Sequence, residues 1–133
     1  MDIKQGFKLK SQIDALNWKY DSLRFSSSKP DNPSSSFQNG TENRLIKLAE
    51  IKKQIEALQH ELEKVTYTIE DFIEKSNIDE KYQVVLIHRY CYLETFSKIA
   101  NDLGFSERYI YNLHKNALKK ISISSVSNHL DIN

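Results

Sequence analysis

The sequence predicts an all-α fold, in which a long N-terminal helical hairpin or coiled coil is followed by a helix-turn-helix domain. Three glycines and two prolines in 133 residues are too few for a turn-rich β-fold and favour long helices. Apolar residues recur at helical spacing through most of the chain. The single cysteine excludes a disulfide framework and a cysteine-based zinc site.

The first 25 residues predict one amphipathic helix. Its apolar residues are four, three, four and three positions apart, so they share one face: Leu9, Ile13, Leu16, Tyr20 and Leu23. Residues 26–40 hold both prolines and six serines and are expected to form a flexible linker.

A seven-residue repeat then predicts a long helix from Thr41, as its N-cap, to about Ser76. The apolar positions of the repeat are Leu48, Ile51, Ile55, Leu58, Leu62, Val65, Ile69 and Phe72. This period is typical of a left-handed coiled-coil seam. The sequence leaves open whether the seam meets the first helix, a second chain or both. Residues 1–76 are assigned to this helical region.

Residues 79–121 predict three shorter helices, with Asp79, Thr95 and Ser106 as N-cap candidates. The inner face of the first helix is expected to carry Tyr82, Val85, Leu86, Tyr90 and Leu93. That of the second is expected to carry Phe96, Ile99, Ala100 and Leu103. Residues 122–133 show little pattern and are expected to form a frayed or partly ordered tail.

Residues 95–121 have the order of features that a helix-turn-helix motif needs. Ala100 is small enough to let two helices cross closely, and Gly104 can adopt a positive φ at the turn. Phe105 is expected to point from the turn into the core. The third helix is expected to turn five residues inward: Ile110, Leu113, Ala117, Leu118 and Ile121.

The residues left on the outer face of this third helix are of the types that read DNA. They are Arg108, Tyr109, Tyr111, Asn112, Lys115, Asn116 and Lys119. Arginine and lysine bind guanine edges or phosphates, asparagine pairs with adenine, and tyrosine contacts phosphates or thymine methyl groups. Ser106 and the positive end of the helix would favour a nearby phosphate. Outward lysines and asparagines are also common on helices that face only solvent.

The net charge of +1 conceals an uneven distribution. Residues 82–121 carry six basic and three acidic side chains, whereas residues 41–81 carry seven basic and ten acidic ones. An acidic helical region is therefore followed by a basic segment. Because phosphate neutralisation supplies most non-specific affinity for DNA, the basic segment favours DNA binding.

Residues 82–121 resemble region 4 of bacterial sigma factors, which reads an upstream promoter element. The shared features are Val85-Leu86, Arg89-Tyr90, Ile99-Ala100, Leu103-Gly104, Ser106 and the ending Ala117-Leu118-Lys119-Lys120-Ile121. The resemblance implies that five residues of the last helix face the major groove: Arg108, Tyr109, Asn112, Lys115 and Asn116. It also implies phosphate contacts from Thr95, Ser97 and Lys98. Sigma factors usually have an acidic residue where Lys98 stands, so the local salt bridges are expected to differ. Nothing in the chain resembles the aromatic promoter-melting region of sigma factors, so it is not a complete sigma factor.

The whole chain looks like small phage-encoded transcriptional regulators of the ArpU and RinA type. That resemblance implies double-stranded DNA and host RNA polymerase as partners in the cytoplasm of a bacterial host cell. A homodimer or higher oligomer formed through the coiled coil would let two heads read two half-sites. Two alternatives stay open: a protein like phage small terminase subunits that recognises a packaging site, and a coiled-coil interaction protein that does not bind DNA.

Nothing in the sequence predicts a catalytic site, a cofactor, a metal site or a membrane segment. His60, His88, His114 and His129 lie on separate elements, and no two of them are four residues apart. Cys91 lies between two tyrosines and is expected to be a small buried apolar residue. The chain has no phosphate-binding glycine loop, no apolar run long enough to span a bilayer and no signal peptide at its start.

Overall fold

A computed structural model describes residues 2–25 and 36–132, with side chains for 2–25 and 40–122, and these residues form five helices and no strand. The helices are α1 (Gln5–Phe25), α2 (Ser36–Lys75), α3 (Glu80–Tyr90), α4 (Phe96–Leu103) and α5 (Glu107–Ile132). The predicted all-α class is confirmed. Residues 26–35 of the predicted linker lie outside the described residues, whereas residues 36–40, also expected to be linker, belong to α2.

Two helices are longer than the sequence predicts. α2 begins at Ser36, so Thr41 lies inside the helix and is not its N-cap. α5 continues through Ile132, so residues 122–132 are helical instead of forming a frayed tail. Neither extension contains a proline, and each residue added to an existing helix gains one backbone hydrogen bond. Gly40 costs only about 1 kcal/mol of helix propensity, which a 40-residue helix tolerates.

The chain divides into two units, each of which is described on its own. We call Lys8–Glu63 the two-helix unit, and Met1–Phe7 with Lys64–Asn133 the head unit. The sequence suggested a boundary between residues 76 and 79, whereas the packing groups the last part of α2 with α3–α5. The reason is that Ile69 and Ile73 of α2 are buried in the same cluster as Leu86 and Ala117.

In the two-helix unit, α1 packs against α2 through a small apolar cluster. Ile13 of α1 and Ile51 and Ile55 of α2 are buried in its centre. Partly buried side chains surround them: Leu16, Tyr20, Leu23, Leu58 and Leu62. This part of the heptad seam therefore pairs with the first helix of the same chain, which is one of the arrangements that the sequence left open.

In the head unit, the larger of two apolar clusters joins α2, α3 and α5. Its centre includes Ile69 and Ile73 of α2, Leu86 and Tyr90 of α3, and Ala117. Partly buried residues pack around this centre, among them Ile3, Phe7, Val65, Phe72 and Leu118. Within this cluster, the seam residues Val65, Ile69 and Phe72 also pack against their own chain.

The heptad pattern misses one of the most deeply buried residues, Ile73, which has 0% of its surface exposed. A straight α-helix has 3.6 residues per turn, so a strict seven-residue repeat drifts by about 20° per heptad. After three heptads the drift carries Phe72 toward the edge of the buried face, where it is half-buried. Ile73 then lies nearer the centre of that face.

Cys91 is buried in the larger cluster of the head unit, so its thiol is expected to be unreactive in the native protein. Burial, with smaller contributions from the Glu70 and Glu74 carboxylates, raises the pKa of Cys91 to about 12. Since the thiolate is the reactive form, a disulfide reagent such as DTNB at pH 8 should modify Cys91 only after denaturant unfolds the chain. Stoichiometric modification of the native protein within seconds would contradict this placement.

Candidate nucleic-acid interface

The first helix of the candidate interface, α4, is fixed at both ends by the residues that the sequence predicts. The Thr95 hydroxyl oxygen accepts a hydrogen bond from the Lys98 backbone N–H at 3.2 Å. At the other end Gly104 has a φ of 77°, and its N–H donates to the Ala100 carbonyl at 2.9 Å. No atom lies within 4 Å of where a Cβ would stand at Gly104. Glycine is therefore favoured there by the positive φ and not by lack of space.

The start of α5 is also fixed as predicted. The Ser106 hydroxyl oxygen accepts a hydrogen bond from the Tyr109 backbone N–H at 3.2 Å, and the Ser106 carbonyl accepts from the Ile110 N–H at 3.1 Å. The three residues between α4 and α5, Gly104–Ser106, thus form a short and well-satisfied turn. Such a turn determines the direction in which α5 leaves α4.

A second apolar cluster of the head unit holds α3, α4 and α5 together. Its buried members are Val85 of α3, Ile99 and Ala100 of α4, and Ile110 and Leu113 of α5. Ile99 and Ile110 are both 0% exposed. Of the five inward residues predicted on α5, Leu118 is half-buried and the other four are buried.

Three local predictions differ from the structure. Asp79 stands at the N-cap of α3 but makes no side-chain capping hydrogen bond, although its carbonyl accepts one from the Tyr82 N–H at 3.0 Å. Leu93 lies beyond the end of α3 with a φ of 58°, so it is not on the inner face of that helix. Phe105 is 52% exposed instead of filling the core, and it is not among the residues that pack against the buried cluster of α3, α4 and α5.

All the predicted DNA-contacting residues are exposed. On α4 and its cap they are Thr95, Ser97 and Lys98, and at the turn and on α5 they are Ser106, Arg108, Tyr109, Tyr111, Asn112, Lys115, Asn116 and Lys119. Exposure is necessary for binding, but it does not distinguish these residues from ordinary solvent-facing ones. Their arrangement on the helix is more informative.

Four of these residues form a stripe on α5 opposite its buried side. At about 100° per residue, Arg108, Asn112, Lys115 and Lys119 fall within a sector of roughly 60°, centred nearly opposite Ile110. Tyr109 and Asn116 lie on one flank of this stripe. Tyr111 lies on the other flank, where its ring packs edge-on against Phe96 of α4 at 5.7 Å between centroids. We call the four central residues the polar stripe.

The first turn of α4 contributes less positive charge than its sequence indicates. The Lys98 ammonium lies 2.7 Å from an Asp102 carboxylate oxygen and 3.8 Å from one of Glu94. The hydrogen bond and charge of Asp102, followed by the charge of Glu94, raise the pKa of Lys98. A phosphate at this position would have to compete with two carboxylates.

Arg89 is half-buried and packs against residues of the head unit, so it contributes less to the basic surface than an exposed arginine would. Its guanidinium lies between the rings of Phe7 and Phe96, 4.7 and 4.4 Å from their centroids. It also donates a hydrogen bond to the Glu94 carbonyl at 2.8 Å. The sequence-based charge count includes Arg89 among six basic residues, but the structure gives it a packing role.

His114 joins α3, α4 and α5, a role that the sequence reasoning missed. Its Nε2 lies 2.7 Å from the Tyr90 hydroxyl, and its ring centroid lies 4.9 Å from that of Phe96. Burial, followed by the charges of Arg89 and Lys4, lowers the pKa of His114. In the neutral imidazole with its proton on Nδ1, Nε2 accepts a hydrogen bond from the Tyr90 hydroxyl. The sequence does contain a signal for this role: His114 is four residues from both Ile110 and Leu118, so helical spacing places it beside these two inward residues.

Acidification is expected to destabilise the head unit through His114. Its pKa is lowered in the folded state, so below about pH 6.5 the unfolded chain binds more protons than the native one. Stability should therefore fall from about pH 6.5 downward, until the folded-state pKa is passed. Urea denaturation should show a larger fall between pH 7 and pH 5 for the wild type than for His114→Gln, whose amide oxygen can still accept from Tyr90.

A matched control for this pH effect is His60→Gln, at an exposed position of α2. Its fall in stability should equal that of the wild type. Equal falls for the wild type and His114→Gln would show that protonation of His114 does not contribute to acid sensitivity.

Residues 2–25 and 36–132 contain no helix long and apolar enough to cross a bilayer. No cluster of three or more histidine, cysteine, aspartate or glutamate side chains that could hold a metal ion occurs among the side chains described. His129 lies in the part of α5 whose side chains are outside the description. Comparison of the chain with protein-family models, curated proteins and solved structures finds no match, so the sigma-factor and phage-regulator resemblances stay predictions.

Proposed function

We propose that the chain is a sequence-specific, double-stranded DNA-binding transcriptional regulator of phage or prophage origin, which reads the major groove with the part of α5 from residue 107 to 121. The observation that carries this proposal is the polar stripe. The stripe places one arginine, two lysines and one asparagine on the exposed side of α5. The opposite side of α5 packs into a buried cluster, and the helix begins at a capped turn.

The order of residues along the stripe fits a helix that enters the groove with its N-terminal end. Arg108 and Asn112 lie in the first two turns of α5, where base edges would be nearest. Arginine makes bidentate bonds to guanine, and asparagine makes them to adenine. Lys115 and Lys119 lie farther along, where the phosphate backbone would run beside the helix.

We do not propose that the chain dimerises through the heptad seam. The seam residues from Ile51 to Leu62 pack against α1, and those from Val65 to Phe72 pack within the head unit. A protein that needs no second chain to bury its seam can still read a short site as a monomer. Static light scattering of the full chain at micromolar concentration tests this, with a monomer expected.

Binding of the full chain to duplex fragments from bacterial and phage genomic DNA tests the proposal directly. If two or three basic residues of α5 neutralise phosphates, affinity should fall roughly 10- to 40-fold between 50 and 200 mM salt. The positions of the tightest fragments distinguish promoters from packaging sites, and thus a transcription regulator from a terminase-like protein. Absence of salt-dependent binding to any fragment at 50 mM salt would overturn the proposal.

A further inference from the structure

Two aromatic residues are exposed together at the start of α5. Phe105 is 52% exposed and Tyr109 is 43% exposed, and their ring centroids are 4.8 Å apart. The turn holds both of them in place. The Phe105 N–H donates to the Ala100 carbonyl at 3.0 Å, and the Tyr109 N–H donates to the Ser106 hydroxyl at 3.2 Å. The pair is thus an exposed apolar surface on a turn whose backbone is hydrogen-bonded.

This aromatic pair lies beside the part of the polar stripe that is proposed to read bases. Asn112 is four residues after Arg108 and three after Tyr109, so its side chain neighbours both of them on the first turns of α5. Phe105 has no hydrogen-bonding group and cannot bind a phosphate. On DNA, which offers no cation of its own, the partner that suits its ring is an apolar group. Among the base edges of the major groove, the exposed apolar group is the C5-methyl of thymine.

We infer that Phe105 and Tyr109 contact thymine methyl groups in the major groove and so select thymine beside the bases read by Arg108 and Asn112. The inference rests on the proposed function and adds a specificity that the polar stripe alone does not supply. Arginine and asparagine distinguish guanine and adenine by hydrogen bonds, whereas an aromatic surface distinguishes thymine from cytosine and from uracil by one methyl group.

Replacement of thymine by deoxyuridine tests the inference, because it removes the methyl group and keeps every hydrogen-bonding group. Duplexes are first selected from a random pool with the full chain, and each thymine of the preferred duplex is then replaced singly. At one or two positions the substitution should weaken wild-type binding about fourfold, the effect of one buried methyl-sized group. No effect at any position would overturn the inference while leaving DNA binding, and the proposed function, intact.

Variants show whether the two rings are the source of the methyl effect. Phe105→Ala and Tyr109→Ala should still bind the selected duplex but should distinguish thymine from deoxyuridine less than twofold. Phe105→Leu keeps an apolar side chain and should retain most of the effect. Tyr67→Ala removes an aromatic ring that is 73% exposed on α2 and should retain all of it.

The outcomes separate the two proposals. If the wild type binds no duplex, the proposed function fails and the inference fails with it. If the alanine variants keep the full methyl effect, the rings are not its source and the inference alone fails. Circular dichroism of each variant at equal concentration confirms that a lost effect does not result from a lost helix.

Discussion

Replacement of Ile110 by alanine is expected to lower the free energy of unfolding by about 2–5 kcal/mol. Ile110 is 0% exposed and lies in the cluster that joins α5 to α3 and α4. The substitution removes three carbon atoms from a packed interior and leaves a cavity, since the capped turn limits how far α5 can move toward α4. Urea denaturation followed by circular dichroism measures the loss.

Two further variants make this expectation specific. Ile110→Val removes one methylene-sized group and should cost about 0.5–1.5 kcal/mol. Asn116→Ala changes an exposed residue of the same helix and should alter stability by no more than about 0.5 kcal/mol. A loss of less than 1 kcal/mol for Ile110→Ala would mean that this cluster does not hold α5 in place.

Local signals in the sequence predict most of the head unit. Thr95, Gly104 and Ser106 each act through their own backbone neighbours, so residue type and spacing are enough to identify the caps and the turn. The buried stripe of α5 likewise follows from helical periodicity. These are short-range effects, which a single sequence records directly.

The features that the sequence does not reveal depend on distant residues. Arg89 is a packing residue because Phe7, about eighty positions earlier in the chain, covers one face of its guanidinium. Lys98 is different, because its partners Asp102 and Glu94 are each only four residues away, so helical spacing is enough to indicate these ion pairs. Phe105 is 52% exposed, although its residue type and its place in the turn predict a core position. Charge counts and residue types do not reveal that Arg89 packs between helices or that Phe105 is exposed.

The basic surface of the candidate interface is smaller than the charge count of the sequence indicates. Without Arg89, and with Lys98 paired to carboxylates, the unpaired positive charge expected near DNA is concentrated on α5, at Arg108, Lys115 and Lys119. The local charge of residues 82–121 therefore overstates the basic surface. A protein that makes few phosphate contacts depends more on base contacts for its affinity. The loss of affinity expected when Asn112 is replaced is therefore larger.

Replacement of Asn112 by alanine is accordingly expected to weaken binding to the preferred duplex by about 1–3 kcal/mol, or roughly 5- to 150-fold. Asn112 is exposed and belongs to the polar stripe, so the substitution should change the free energy of unfolding by no more than about 0.5 kcal/mol. The variant should also lose its preference for one adenine of the site, because the lost bonds are those that distinguish adenine from the other bases. Anisotropy titrations of the preferred duplex and of duplexes changed at that adenine measure both effects.

Lys119→Ala is the matched comparison, since it lies in the same stripe but is expected to meet a phosphate. It should weaken binding to every duplex alike and lower the slope of log affinity against log salt by about one, with no change in base preference. Asn112→Ala should leave that slope unchanged. If both variants weaken all duplexes equally and by the same salt-dependent factor, α5 binds the DNA backbone without reading bases, and the sequence-specific part of the proposed function is wrong.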